Sequence, residues 1–234
     1  MNKPKGQLIV ALDVPTLEEA KKLVKTLGKT VEIFKVGSQL FTTAGPEAVR
    51  YLLKEGKQVF LDLKFHDISN TVASAVAAAI SIQEGGRGIM MCTLHTSGGL
   101  EMLKMAAAIA KKSVRRPFLV GITVLTSDAK KDNIAALVLE RAKLAKQAGL
   151  DGVVASSQEA ALIRQKFGKD FIIVTPGIRP KNSAAGDQKR ITTPFDAIKN
   201  GSDFLVVGRP IVNAPNPQAA AEEILQEIAQ ALDD

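Results

Sequence analysis

Short runs of consecutive apolar residues, many of them β-branched, recur along the chain and predict strands. Between them lie stretches whose apolar residues have the three-and-four spacing of helices. Because the runs are apolar at successive positions instead of alternating with polar ones, they are typical of parallel strands buried on both faces. Eight strands are predicted, at residues 7–13, 31–37, 58–65, 88–95, 117–125, 151–157, 171–177 and 203–210.

The intervening stretches carry the end signals of helices. TLEEAKKLVKTLG, residues 16–28, begins with a threonine that can cap the first turn and ends with a glycine, and NIAALVLERAKLAKQAG, residues 133–149, also ends with a glycine. Eight strand-then-helix units in 234 residues favour a closed (β/α)8 TIM barrel over the alternative, an open doubly wound sheet. We therefore predict an α/β fold with a single domain over residues 1–234.

One segment, residues 175–194, lacks any such period and is rich in glycine, proline and polar residues. An aperiodic stretch of this length is often a functional lid, and an ordinary solvated loop is the alternative. The segment follows the seventh predicted strand, and barrels commonly build a phosphate site from the loops after strands seven and eight. After the eighth strand, Gly208 would allow a phosphate to approach the backbone and Arg209 would donate to it. These features predict a phosphate-binding lid loop.

Charged residues interrupt the apolar strands near their carboxyl ends. Asp62 and Lys64 are two positions apart in the third strand, so both are predicted to point into the barrel near its mouth. Lys35, in the second strand, and Asp13, at the end of the first, reach the same rim. Opposite charges at this spacing keep one another ionised despite partial burial, which favours a preorganised electrostatic site. The alternative is a network of ion pairs that only ties the strands together.

Composition limits the partners and the cellular compartment. The formal net charge is +7, but the lysines are spread along the predicted helices, and one Tyr, nine Phe and no Trp leave few rings for stacking on bases. We therefore predict a small phosphorylated ligand and no nucleic acid. The runs LIVAL and VASAVAAAI are too short for a signal-peptide core or a membrane span, and the single cysteine, Cys92, is typical of a reduced cytoplasmic protein.

Short motifs stand near the ends of the predicted strands. They are ALDVP at 11–15, FKVG at 34–37, DLKFHDI at 62–68 followed by NTV at 70–72, HTSGG at 95–99, TVLTS at 123–127, PGIRP at 176–180, Gln188 and VGRPI at 207–211. In this order, and over nearly the whole chain, they resemble the signatures of the orotidine 5′-monophosphate decarboxylase family. Ser69 stands where that pattern has a proline or glycine, and Thr93 and Thr96 make the end of the fourth strand unusual.

The resemblance implies a decarboxylation of orotidine 5′-monophosphate to UMP and CO2 without metal or cofactor, the last step of de novo pyrimidine synthesis. Lys64 would stabilise the carbanion at C6 and then protonate it, while Asp62 would hold the ammonium group. Lys35 and Asp67 of the partner subunit would complete an alternating charge chain in a homodimer with shared active sites. By the same resemblance the substrate contacts would come from Asp13, Lys35 and Thr71 at the ribose, Thr126 at the pyrimidine edge, and Arg179, Gln188, Gly208 and Arg209 at the phosphate.

Three residues near the cluster have competing interpretations. Asp67 lies an odd number of residues from Lys64 and past the predicted strand end, so it is predicted to point outward, and a cap of the next helix is the alternative. His66 could act as a general base, but a packing role is favoured. His95 and Cys92 have odd spacing and lie on opposite faces of their strand, so they are not expected to share a metal.

Two other functional classes fit parts of the pattern. Mg2+-dependent decarboxylases or aldolases of the same superfamily, such as 3-keto-gulonate-phosphate decarboxylase or hexulose-phosphate synthase, also carry Asp-x-Lys-x-x-Asp, but with a glutamate metal ligand where this chain has Lys35. A lysine there repels a metal ion. A non-catalytic phosphate-binding barrel is the second alternative. Lys64 argues against it, because a phosphate receptor needs no alternation of acids and lysines far from its phosphate loop.

Overall fold

Eight parallel strands form a closed barrel in the computed structural model, which describes residues 6–124, 133–180 and 192–234. Around the barrel the first and last strands pair with each other and so close the sheet. Two further short strands form a separate antiparallel hairpin. The barrel strands are β1 (Leu8–Ala11), β2 (Ile33–Gly37), β3 (Gln58–Phe65), β6 (Met91–His95), β7 (Phe118–Ile122), β8 (Gly152–Val154), β9 (Ile172–Thr175) and β10 (Phe204–Val207), and the hairpin consists of β4 (Gln83–Glu84) and β5 (Arg87–Gly88).

Helices pack on the outside of the barrel and connect successive strands. A single 3-10 turn, Thr96–Gly98, lies directly after β6. The α-helices of the described residues are α1 (Leu17–Leu27), α2 (Ser38–Ala44), α3 (Pro46–Lys54), α4 (Ser69–Ser81), α5 (Gly99–Lys111), α6 (Ile134–Ala148), α7 (Ser157–Phe167), α8 (Pro194–Lys199), α9 (Arg209–Val212) and α10 (Pro217–Asp233).

The predicted (β/α)8 TIM barrel is confirmed, with one barrel strand inside each of the eight predicted runs. Several runs were predicted too long, because Gly88 belongs to the hairpin and Ser157 and Arg209 already begin helices. The hairpin itself was not predicted, since two-residue strands are too short to produce a period. Its turn depends on Gly85 and Gly86, whose φ angles of 53° and 75° are readily adopted by glycine.

Apolar side chains of the barrel strands form two layers. One layer fills the barrel interior and includes Ile9, Ile33 and Phe60, all at most 1% exposed. Their neighbours along the chain point the other way and join the larger core between strands and helices, as Phe34 and Leu61 do. Because side chains alternate along a strand, the interior positions that come two residues later lie at the carboxyl ends of the strands. Those positions are Ala11, Lys35 and Asp62.

The outer helices follow the predicted caps. Thr16 accepts a hydrogen bond from the backbone N–H of Glu19, 3.2 Å away, and caps α1, which buries Ala20, Val24 and Leu27. Helix α6 ends at Gly149, which has a φ of 84° and supplies the left-handed residue that closes many helices. Within the ranges given above, none of the helices combines the length and the apolar character needed to cross a membrane.

Candidate active site

Four charged side chains form an alternating chain at the carboxyl ends of β1, β2 and β3. Asp13 Oδ1 lies 3.0 Å from Lys35 Nζ, Lys35 Nζ lies 3.5 Å from Asp62 Oδ2, and Asp62 Oδ2 lies 2.8 Å from Lys64 Nζ. The two central side chains are nearly buried, with 9% of Lys35 and 11% of Asp62 exposed. Asp13 and Lys64 at the two ends are more open to solvent. The barrel thus brings together the four residues on which the sequence prediction of an electrostatic site depends.

Alternation along the strands agrees with the directions of Lys35, Asp62 and Lys64, which all line the cleft. The backbone of Lys64 is left-handed, with a φ of 51°, and the pairing of β3 with β6 shifts between Leu61 and Phe65. A positive φ is uncommon for a residue with a side chain and is strained. The prediction that Lys64 meets Asp62 therefore agrees with the geometry, and the distortion of the strand at Lys64 is an addition that the sequence did not predict.

Sequence reasoning missed the part that Thr93 plays in this cluster. Its hydroxyl donates to Asp62 Oδ1 over 3.0 Å and accepts from the backbone N–H of Lys64 over 2.8 Å. Thr93 lies two residues after Met91, which faces the barrel interior, so strand alternation alone would have identified its inward direction. The partners of the hydroxyl depend on the tertiary structure, because they come from a different strand.

The surroundings of Asp62 favour its ionised form. Burial by itself raises the pKa of this carboxyl group, but the ammonium groups of Lys35 and Lys64 and the hydrogen bonds from Lys64 and Thr93 outweigh burial. The pKa of Asp62 consequently lies below its ordinary value. The cluster therefore presents a fixed negative charge between two ammonium groups at neutral pH.

A cleft of about 290 Å³ opens beside the charge chain at the mouth of the barrel. All four members of the chain line it on one side. The opposite wall is apolar and was not predicted; it includes Ile122, Val124, Val154 and Ile178. The segments after β9 and β10 also line the cleft, with Arg179, which is buried, Gly208 and Arg209. The charge chain, an apolar wall and a pair of arginines together suit a small ligand that has polar groups, an apolar face and an anionic group.

The remaining predicted site residues lie elsewhere. Asp67 and Thr71 are exposed and do not line the cleft. The carboxylate of Asp67 accepts from the adjacent backbone N–H of Ile68 over 2.6 Å. Helix α4 is preceded by Ile68 as its cap residue, with no side-chain cap bond, so the alternative interpretation of Asp67 as a helix cap is wrong. Thr126 and Gln188 lie outside the described residues.

Both histidines lie near the cluster but outside the cleft lining. The rings of His66 and His95 stack with centroids 5.3 Å apart. Burial, followed by His66, Arg141 and Lys64, lowers the pKa of His95.

Cys92 is buried in the outer core, where burial and then Asp151 raise the pKa of its thiol to about 12. In the described ranges no three or more His, Cys, Asp or Glu residues are grouped so that they could hold a metal ion.

Of the predicted lid loop, residues 175–180 and 192–194 are described. The two described ends are held together by a parallel bridge between Ile178 and Thr192, in which the backbone N–H of Arg179 donates to Thr192 O over 3.0 Å. The hydroxyl of Thr192 also hydrogen-bonds that of Ser157 at the start of α7. The backbone at Arg179 is thus attached, through Thr192, to a helix of the barrel.

Comparison with known proteins agrees with this architecture. Residues 6–224 match the model of the Orotidine 5'-phosphate decarboxylase / HUMPS family. Curated relatives named Orotidine 5'-phosphate decarboxylase include those of Idiomarina loihiensis, 47% identical over 96% of this chain and 98% of the relative, and of Geobacter sp. (strain M21), 45% identical over 95% of each. The crystal structure of Orotidine 5'-phosphate decarboxylase from Lactobacillus acidophilus is 36% identical and covers 95% of this chain and 98% of its own, with a TM-score of 0.80. The chain therefore belongs to the Orotidine 5'-phosphate decarboxylase / HUMPS family.

Proposed function

We propose that this protein converts orotidine 5′-monophosphate to UMP and CO2, the last step of de novo pyrimidine synthesis. The observation that carries the proposal is the alternating chain of Asp13, Lys35, Asp62 and Lys64, with successive distances of 3.0, 3.5 and 2.8 Å, beside a cleft in a member of this family. Loss of CO2 from the pyrimidine leaves an electron pair on C6 with no conjugated group to accept it. Such a reaction depends on charges that are already in position when the negative charge develops.

Lys64 has the central role in the proposed mechanism. The bond between C6 and the carboxylate breaks, the electron pair remains on C6, and the carboxylate departs as CO2. The ammonium group of Lys64 stabilises this charge and then transfers a proton to C6, after which the neutral amine regains a proton from solvent. Asp62, 2.8 Å away, pairs with the ammonium group and holds it at the cleft.

The other predicted residues would bind the substrate. Lys35 and Asp13, joined over 3.0 Å, are suited to the ribose hydroxyls, since one donates and the other accepts. Arg179, Gly208 and Arg209 all line the cleft and are suited to the phosphate. Thr126 at the pyrimidine edge, Gln188 at the phosphate and closure of the 175–194 segment stay predictions.

The charge arrangement favours this reaction over the Mg2+-dependent alternatives. Asp62 Oδ2 already faces two ammonium groups, those of Lys64 at 2.8 Å and Lys35 at 3.5 Å. Their positive charge opposes a divalent cation at the same oxygen. A sugar-phosphate decarboxylase or aldolase that used Asp62 as a metal ligand would first have to displace both lysines.

The homodimer with shared active sites stays a prediction. It is supported by the exposure of Asp67 and Thr71, which stand at the edge of the barrel mouth and would be free to enter the site of a partner subunit. Ile68 between them has 73% of its surface exposed, which is unusual for an isoleucine and suits a protein contact. A cytoplasmic location also stays a prediction.

The first test measures the absorbance change on loss of orotidine 5′-monophosphate, with and without EDTA. We expect turnover that EDTA does not reduce. Turnover abolished by EDTA would favour the Mg2+-dependent class, and binding of the nucleotide without turnover would favour a non-catalytic barrel.

The second test replaces Lys64 with alanine. Because the ammonium group acts mainly in the transition state, kcat should fall by at least about a thousandfold while the product UMP still binds. Lys104→Ala is the matched control, since Lys104 is half exposed on α5 and pairs only with Glu101 among the ion pairs of the described residues. Near-normal turnover of the Lys64 variant would contradict the proposed mechanism.

A further inference from the structure

A single buried hydroxyl group joins Asp62 and Lys64, two neighbouring residues of the charge chain. Thr93 in β6 is completely buried and does not line the cleft. Its Oγ1 donates to Asp62 Oδ1 over 3.0 Å and accepts from the backbone N–H of Lys64 over 2.8 Å. The hydroxyl therefore uses its one proton on the carboxylate and a lone pair on the lysine backbone. No role is assigned to Thr93 by the proposed mechanism described above.

The first of these hydrogen bonds orients the carboxylate of Asp62. Thr93 occupies Oδ1, whereas Oδ2 faces Lys64 Nζ at 2.8 Å and Lys35 Nζ at 3.5 Å. Without a donor at Oδ1, the carboxylate could rotate about its Cβ–Cγ bond and offer either oxygen to the lysines, because this torsion has a broad energy profile. The threonine thus selects one orientation of the charge between the two ammonium groups.

The second hydrogen bond supports the backbone of Lys64. This residue has a φ of 51°, in the left-handed region that residues with side chains rarely adopt. The pairing of β3 with β6 is irregular here, so the lysine N–H is bonded to the Thr93 side chain instead of a strand carbonyl. A strained conformation persists only where surrounding contacts hold it. The direction in which the ammonium group enters the cleft depends on this conformation.

We propose that Thr93 is a positioning residue for the decarboxylation, holding the Asp62 carboxylate and the Lys64 backbone in one fixed relation so that the ammonium group is directed at the reacting carbon. The inference rests on the proposed function. Thr93 does not line the cleft and would act through Asp62 and Lys64, which do. Its removal should therefore slow the chemical step and leave phosphate-dependent binding nearly unchanged.

The test compares Thr93→Val, which keeps the shape but lacks the hydroxyl, with Thr93→Ser, which keeps the hydroxyl. Loss of a hydrogen bond to a charged group should lower kcat by about tenfold to a hundredfold in the valine variant, with KM changed by less than about threefold. The serine variant should stay within about threefold of wild type in both constants. Ser202→Ala is the control, because Ser202 is also buried and its hydroxyl bonds Thr175, away from the charge chain.

A pH profile separates positioning from general loss of stability. Thr93 is one of the groups that lower the pKa of Asp62, so its hydroxyl favours the carboxylate form. In Thr93→Val the pKa should rise and the acid side of the kcat profile should move to higher pH. Ser202→Ala should leave the profile where it is in wild type, even if both variants unfold at a lower temperature.

The outcomes distinguish the inference from the proposed function. A wild-type protein without turnover would refute the function itself, with no reference to Thr93. An active wild type and a valine variant that binds UMP normally but keeps the wild-type kcat and pH profile would overturn the positioning role. Should Thr93→Val fail to bind UMP, Thr93→Ala serves in its place, and failure of both would make Thr93 a structural residue and overturn the inference as well.

Discussion

At the scale of single residues, the position of Lys35 depends on the absence of a side chain at Gly37. A Cβ atom on Gly37 would lie 2.8 Å from Lys35 Nζ and 3.1 Å from Asp13 Oδ1. The first distance is shorter than real contacts of this kind, so the ammonium group would have to move. Because φ is −97° at Gly37, alanine itself fits the backbone without strain. The glycine therefore serves the charge chain and not a turn.

We predict that Gly37→Ala reduces activity far more than stability. The displaced ammonium group would lose its hydrogen bond to Asp13 and its place between the two carboxylates, and kcat/KM should fall by about tenfold or more. The melting temperature should change by less than about 4 °C, since the clash involves only the flexible end of a lysine. Steady-state kinetics and thermal unfolding of the same preparation measure both effects.

Gly88→Ala is the control for this substitution. Gly88 lies in the hairpin, its φ is not positive, and an added Cβ would meet only Gln83 Cγ at 3.9 Å. Its activity should equal that of wild type. If Gly37→Ala also keeps wild-type kinetics, Lys35 has room to adjust and its exact position is unimportant.

At the scale of secondary structure elements, two neighbouring strands bring the candidate phosphate ligands together. Strands β9 and β10 pair in parallel, with Phe204 opposite Val174 and Leu205 opposite Thr175. The segments that follow them therefore leave the barrel side by side and carry Arg179 and Arg209 to the same end of the cleft. This arrangement is a property of the strand order, because the two arginines are far apart in the sequence.

We predict that Arg209→Ala weakens binding of the substrate by about tenfold to a hundredfold, the usual effect of losing a hydrogen bond to a charged group. If phosphate binding also drives closure of the 175–194 segment, kcat should fall as well. The informative comparison is orotidine, the nucleoside without phosphate, on which wild type and variant should act alike. An equal loss with both compounds would contradict the phosphate assignment, and Arg50→Ala, an exposed change on α3, is the control.

At the scale of the whole molecule, part of the charge pattern lies outside the cleft of its own chain. Asp67 is exposed, lies within 4.0 Å of no cationic group of the described residues, and does not line the cleft. Lys64, by contrast, has 38% of its side chain exposed at the mouth, where a carboxylate from a second copy could approach it. A two-fold dimer would supply such a carboxylate to both sites at once.

A mixing experiment tests this shared site. Inactive Lys64→Ala and Asp67→Ala proteins, unfolded and refolded together, would form mixed dimers in which one site has both wild-type residues and the other has neither. With random pairing about half of the dimers are mixed, so about a quarter of all sites should recover activity. Lys64→Ala mixed with Asp62→Ala is the control, because both residues belong to the same site of one chain and no site regains both. Absence of recovery in verified mixed dimers would assign Asp67 to its own subunit or to no site.

The sequence by itself determined much of the fold and the chemistry of the site. Runs of consecutive apolar residues predicted the eight barrel strands. Because side chains alternate between the two faces of a strand, positions within these runs also predicted that Lys35 and Asp62 face the barrel interior. Cap residues such as Thr16 and Gly149 predicted helix ends, because the backbone groups with which they form hydrogen bonds are only a few residues away in the sequence.

Only the tertiary structure decided how these parts meet. Pairing of β1 with β10 closes the barrel, the irregular contact of β3 with β6 gives Lys64 its left-handed backbone, and Thr93 finds its two partners across that same contact. Each of these contacts joins residues from distant parts of the chain, and local sequence patterns do not show which distant residues come together. The charged residues at the barrel mouth could thus be predicted from the sequence. The contacts of the Thr93 hydroxyl with Asp62 and Lys64 could not, because they depend on the packing of β6 against β3.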